Sequence, residues 1–223
     1  MATFVETRAP ATQPGKRLIP PLQFGDRLTR AEFHRRYKAM PKLKKAELIE
    51  GVVFMPSPVN HQNHGKPHGL IMGCLFTYSA ATPHLEFSDN ATVILDPENE
   101  VQPDALLRKV EGAPELIIEI AASTASYDMH DKFKVYRRAQ VQEYIVWRVL
   151  DGEIDWFYLD EGEYKRLLPN AEGVIQSQVF PGFQLAVQPL LADDLAAVLQ
   201  TLQLGLGSAE HKAFVEQLAH SAS

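Results

Sequence analysis

Pro114-Glu115-Leu116-Ile117-Ile118-Glu119-Ile120-Ala121 is a short apolar run with an acid set inside it. A run of that length, rich in β-branched residues, reads as a buried strand. Buried strands normally exclude an unpaired carboxylate, so Glu119 needs a reason. The plain reason is an outward-facing strand position. A second acid upstream supplies a better one, because Val101-Gln102-Pro103-Asp104-Ala105-Leu106-Leu107 is also an apolar run around a carboxylate. Two acids on neighbouring strands, followed by Lys132, have the composition of a divalent-metal site with a cationic helper.

Working outward, segments 85–95, 101–108 and 114–121 read as successive strands, joined by turns at Asp96-Pro97-Glu98-Asn99 and Glu111-Gly112. Ser123-Thr124 opens a helix over about 127–139, which spaces Asp128, Lys132 and Tyr136 along one face. Val141 to Trp147 resumes strand character, with Tyr144 and Trp147 as core residues. A meander follows around Asp151-Gly152 and Glu161-Gly162. This order predicts an α/β (α+β) fold, a mixed β-sheet flanked by helices with an added β-meander. Toward the N-terminus, Thr29-Arg30-Ala31-Glu32 fits a capping box for a helix ending before Pro41. Glu47 to Met55 reads as a strand pair or bent hairpin with Gly51 at the bend, and Asn60 to about Tyr78 as a helix whose start Pro67 leaves open. A short strand at 182–187 precedes a helix from Asp193 to Leu202, which Gly205 and Gly207 interrupt. The expected organisation is a loose proline-rich arm at 1–24, one domain over 25–203, and a tail or short helix at 204–223.

The bulk numbers exclude some classes. A net charge of −6 argues against a protein that coats nucleic acid through its overall charge. It leaves room for a nuclease, which needs only a local basic patch. Lysine and arginine concentrate at 27–45 and 132–138, and both clusters read as solvated helix faces. Cys74 is the only cysteine, so an internal disulfide is impossible, and its apolar neighbours make it a small buried hydrophobe. No apolar stretch approaches the about 18–20 residues of a membrane span, and the N-terminus lacks a signal-peptide pattern. These features predict a cytoplasmic protein with no membrane partner.

The chemistry suited to this set is phosphodiester hydrolysis. Mg²⁺ (or Mn²⁺) on carboxylate ligands activates water and neutralises phosphate charge. Asp104 and Glu119 are the expected ligands, with the Ile120 carbonyl as a further oxygen. An ammonium nearby orients the water or stabilises the crowded phosphorus, and Lys132 is the candidate.

Pro103-Asp104 followed by Glu119 in an apolar strand resembles the PD-(D/E)XK nuclease superfamily. Ala46-Glu47-Leu48-Ile49-Glu50-Gly51, Ser57-Pro58, His61-Gln62, Ile118-Glu119-Ile120, Ser123-Thr124, Asp128…Lys132…Tyr136 and Val141-Gln142-Glu143-Tyr144 narrow the likeness to its Uma-type restriction endonucleases, over roughly residues 28–190. The resemblance implies a restriction-endonuclease-like core, a Mg²⁺-type ion and DNA as substrate, with a homodimer by analogy. It implies Asp104 and Glu119 as ligands and an acid of the Glu47–Glu50 stretch in support, Glu47 ahead of Glu50. One position departs: the superfamily's lysine follows the second acid by two residues, where this chain has Ala121, and Lys132 takes over that place from the next helix.

Two other functions compete. One is a nuclease-fold binding module without turnover. The other is a metallohydrolase using His61, His64 and His68, whose spacing of three and four would suit a zinc site on one helical face if Pro67 did not disturb it.

Overall fold

The computed structural model describes residues 18–56, 61–109 and 113–221. Most of the N-terminal arm, Ser57-Pro58 and the Glu111-Gly112 turn lie outside them.

Two sheets carry most of the described strands. The smaller has strand order β2-β1-β5-β4 and is antiparallel: β1 (Glu47–Ile49), β2 (Val52–Phe54), β4 (Val93–Asp96) and β5 (Asn99–Val101). The larger has order β10-β9-β8-β7-β6-β3, built from β3 (Leu85–Asp89), β6 (Ala105–Lys109), β7 (Leu116–Ala121), β8 (Glu143–Arg148), β9 (Glu153–Asp160) and β10 (Glu163–Leu167). Among the described strands only β7 and β8 pair in parallel, with Glu119 opposite Val146. A parallel pair needs a crossover. It is made by α3 (Ala125–Tyr127), a wide π-type turn over Asp128–Lys132 and α4 (Phe133–Arg138). The mixed sheet with helices and a meander is the predicted architecture.

The hairpin of β1 and β2 turns at Glu50-Gly51, both with positive φ (50° and 72°), a backbone that glycine adopts without strain. Helix α1 (Arg30–Lys38) starts where the cap pattern places it, since Thr29 Oγ1 accepts from the Glu32 amide at 3.4 Å. The reciprocal half of the box is replaced, because the Glu32 carboxylate is held by Arg35 and Arg36.

Alternation along β7 sorts the core. Leu116, Ile118 and Ile120 join a large cluster with Leu70, Cys74 and Tyr78 of α2 (Lys66–Ala81) and with Val198 and Leu202 of α6 (Leu195–Leu206). Ile117 and Ala121 join a second cluster with Val135, Tyr136 and Tyr144 on the other face. Glu119 shares that second face, under α4. The π-type turn His61–Gly65 leads into α2, and Pro67 falls in the first turn, where its missing N–H costs no helical bond. Cys74 is buried, and desolvation pushes its thiol up to about 12, as an inert small hydrophobe requires.

Three expectations change. Segment 85–95 is two strands in different sheets, broken at Asn90, whose φ is 48°. Asp104 sits at a corner just ahead of β6 rather than within a strand, because the chain leaves one sheet for the other at Pro103, which has no ladder donor. Gly205 lies inside α6 and does not interrupt it. A Cβ there would stand 2.2 Å from the Gly182 carbonyl oxygen, so this glycine serves a close approach of backbones. Strands β11 (Val174–Gln176) and β12 (Gln184–Ala186), helix α5 (Val187–Leu191) and helix α7 (Ala209–Ser221) complete the chain, and α7 buries His211, Phe214 and Leu218.

Candidate active site

The corner after β5, the end of β7, the start of β1 and the turn before α4 converge on one cavity of about 200 Å³. Asp104, Glu119, Glu47, Asp128, Lys132, Lys45 and His64 all line it, with Phe54, Leu150 and Pro56 as apolar wall. Asp104 and Glu119 are thus on the same side. Asp104 Oδ2 accepts from the amide of Ile120, the residue after Glu119, at 2.8 Å, which locks the corner to the strand end.

Lys132 is only 3% exposed and surrounded by acids. Its Nζ donates to Glu119 Oε1 at 2.8 Å and lies 3.1 Å from Glu47 Oε2 and 3.5 Å from Asp128 Oδ1. Burial opposes its charge, but those three carboxylates outweigh it and hold the ammonium well above its ordinary range. The Tyr136 hydroxyl donates to the same Glu119 oxygen at 2.8 Å, and Tyr144 donates to the Asp128 carbonyl at 3.0 Å, fixing the turn that carries Lys132. Asp128, Lys132 and Tyr136 therefore act from one face, as their spacing predicts.

Glu47 is buried, and its Oε1 accepts from the Gln102 amide at 2.8 Å. Its Oε2 touches Lys132 without hydrogen-bond geometry, so that contact is ionic. The Tyr127 hydroxyl, whose ring lies 5.7 Å from Lys132 Nζ and stacks on Phe54 at 3.7 Å, is buried without a partner among the described residues. Glu50 faces solvent and pairs with Arg138, which leaves Glu47 as the acid of this stretch that belongs to the cavity.

Lys45, which the sequence groups with a solvated basic cluster, lines the cavity. Its Nζ donates to Asp104 Oδ1 at 3.0 Å. Burial works against this ammonium, and the charges of Glu119 and Asp104 outweigh that and raise it. The signal was available: Lys45 and Glu47 are two apart at a strand start and so share a face. His64 Nε2 lies 3.2 Å from Asp104 Oδ2. Burial alone would raise the Asp104 carboxyl, but His64 and Lys45 hold it below the usual carboxylate range. Glu119 moves the other way, because desolvation and its neighbouring carboxylates exceed the help of Lys132.

The three histidines do not form a ligand set. His61 is exposed, and His68 Nε2 turns to the Asp104 carbonyl (3.0 Å) and Asp89 (3.1 Å). Among the described residues, no three histidine, cysteine or acidic groups are gathered as ready metal ligands. The oxygen-donor pair Asp104 and Glu119 is a different case. Mg²⁺ is commonly held by one or two carboxylates, with waters and substrate oxygens completing its shell. Four carboxylates face two ammoniums here, and Lys45 shows that the space beside Asp104 and Glu119 takes a positive charge. The donor set and its charge fit a hard divalent ion, which would add Lewis acidity and an activated water.

The fold is similar to that of a "putative nuclease belonging to DUF820" from Anabaena variabilis, known from its crystal structure. The TM-score is 0.53 at 12% sequence identity, covering 71% of this chain and 97% of that one. The sequence pattern of the Uma2 family, described as "Putative restriction endonuclease", matches residues 30–188. The chain belongs to that family. No curated protein matches it. Among the described residues, no helix is long and apolar enough to cross a membrane.

Proposed function

We propose that this protein is a Mg²⁺- or Mn²⁺-dependent DNA endonuclease that hydrolyses phosphodiester bonds with a PD-(D/E)XK-type site. One observation carries the reading: Asp104 and Glu119, buried carboxylates from adjoining elements, open into the same cavity and are tied through the Ile120 amide. Asp104 and Glu119 would hold the ion, with Glu47 behind them. In the reaction a water oxygen bonds to phosphorus and the bond from phosphorus to one sugar oxygen breaks. The water gives up a proton and the departing oxygen gains one, leaving a phosphomonoester and a hydroxyl. The protein's own contribution is to orient those groups and to place positive charge beside the phosphate. Phe54, Leu150 and Pro56 give one side of the cavity an apolar lining. Two copies working as a homodimer would let each strand of a duplex meet a site.

Plasmid nicking with Mg²⁺ or Mn²⁺ tests this. Wild type should nick, and Asp104→Ala and Glu119→Ala should each lower the rate by about 10²–10³-fold, the scale of losing one principal charge-stabilising group. Nicking that survives both substitutions would refute the assignment. Duplex binding without any nicking would instead identify a binding module on a nuclease fold.

A further inference from the structure

We infer that Lys45 is the cation that meets the substrate's phosphate, the role the sequence pattern gives to Lys132. The inference rests on the nuclease reading above and assigns a substrate-contacting residue within it.

The two lysines differ in what they have left to offer. The Lys132 ammonium has three carboxylates within 3.5 Å, is 3% exposed, and lies beneath the Tyr127 ring. An ammonium has three donors. All three of its neighbours are acids of this chain, so reaching a phosphate would mean abandoning buried charges, a costly exchange. Lys45 hydrogen-bonds one partner among the described residues, Asp104 Oδ1, and its side chain is 21% exposed on the cavity wall. Among the described residues no second carboxylate lies within 4 Å of it, and its exposed edge opens on the cavity. Its four-carbon stem is flexible enough for the ammonium to yield Asp104 to an incoming ion and take a phosphate oxygen. The location is also right for an approaching backbone. Lys45 ends a basic stretch containing Lys42 and Lys44, both exposed, whereas Lys132 sits behind Glu119 and Glu47. Lys132 is then the internal counter-ion that lets Glu47, Glu119 and Asp128 be buried together. Lys45 is the charge that faces outward.

The test uses the full chain as wild type, Lys45→Ala, Lys45→Gln and Lys45→Arg. Lys45→Gln keeps a polar stem beside Asp104, so a fold defect in Lys45→Ala does not remove the measurement. Affinity for a short labelled duplex is followed in EDTA across salt concentrations, and nicking is followed across a Mn²⁺ titration. Loss of one phosphate contact should flatten the slope of log K against log salt by about 0.9. Nicking by Lys45→Ala and Lys45→Gln should fall about 10²-fold at saturating Mn²⁺, with half-saturating Mn²⁺ no higher than in wild type and partial recovery in Lys45→Arg. If Lys45 acted only by holding Asp104, saturating Mn²⁺ would restore the rate, and the inference would be wrong. Wild-type nicking by Lys45→Ala would overturn it too, while leaving the nuclease reading intact. A wild-type protein that nicks nothing overturns both.

Discussion

Glu119 and Glu143 are buried glutamates on the two neighbouring parallel strands, 2% and 0% exposed, and burial raises the carboxyl of each. They have opposite surroundings. Glu119 lies at the end of β7 on the α4 face, where Lys132, Tyr136 and a cavity meet it. Glu143 opens β8, level with Leu116 in the register, about three strand residues or 10 Å back along the sheet. It has no ammonium partner among the described residues. Its Oε1 accepts from the Gln178 amide at 2.6 Å and its Oε2 from the Ser177 hydroxyl at 2.7 Å, so it clamps the loop before β12 to the sheet. A buried carboxylate is therefore a poor marker of a site by itself. A buried carboxylate with cations around it and open space in front is a good one.

The largest effect should come from removing the cation that separates the two cases. Lys132→Met keeps the bulk of the stem but takes away the one ammonium within 3.5 Å of Glu119, Glu47 and Asp128 among the described residues. Breaking a buried pair in this way costs about 3–5 kcal/mol. Chemical denaturation of the two proteins measures it. A variant as stable as wild type would mean that Glu119 needs its ammonium no more than Glu143 does.

The sequence exposes one of these glutamates and conceals the other. Glu119 stands out because it interrupts an apolar run, and Asp104 because Pro103 marks a break in another. Glu143 opens its strand among polar residues, Gln140 and Gln142, so nothing local marks it as buried. The hairpin at Gly51, the α1 cap and the Asp128-Lys132-Tyr136 face are legible because each depends on spacing within a few residues. Lys45 was lost in its basic cluster, since a run of charges hides the one member that turns inward. The break at Asn90 and the approach of Gly205 to Gly182 are set by which sheet or loop lies alongside, and local pattern does not carry that information.

The next effect concerns pH and belongs to Glu143. Its carboxyl is raised from 4.5 to about 7, with desolvation first and the Ser177 and Gln178 hydrogen bonds opposing it. Between those two values the folded protein holds a proton that the unfolded chain has released. The native state then binds more protons, so stability falls as pH rises through that window. The contribution is fully present below about pH 4.5 and lost by about pH 7, a span of about 3 kcal/mol. The stability advantage of wild type over Glu143→Gln should therefore shrink as pH rises through that window, with nicking unchanged. Glu119 is raised in both proteins and cancels in the comparison, so a difference that does not change with pH would place the Glu143 proton elsewhere, and a lost nicking activity would erase the contrast with Glu119.

The smallest effect isolates a hydrogen bond from a neutral donor in charged company. Tyr136→Phe deletes only the hydroxyl that donates to Glu119 Oε1, and that oxygen keeps Lys132 at 2.8 Å. A hydrogen bond to a carboxylate is worth about 1.5–3 kcal/mol, which in a domain of this size lowers Tm by about 3–12 °C. Nicking should fall no more than about tenfold, because the hydroxyl orients a carboxylate without touching the reacting phosphate. Glu143 depends wholly on such neutral donors, so deleting one of them, with Ser177→Ala, should cost at least as much stability as Tyr136→Phe. If Tyr136→Phe were the more damaging of the two, the hydroxyl and not the ammonium would be what keeps Glu119 in place, and the distinction between the two glutamates would need to be redrawn around tyrosine.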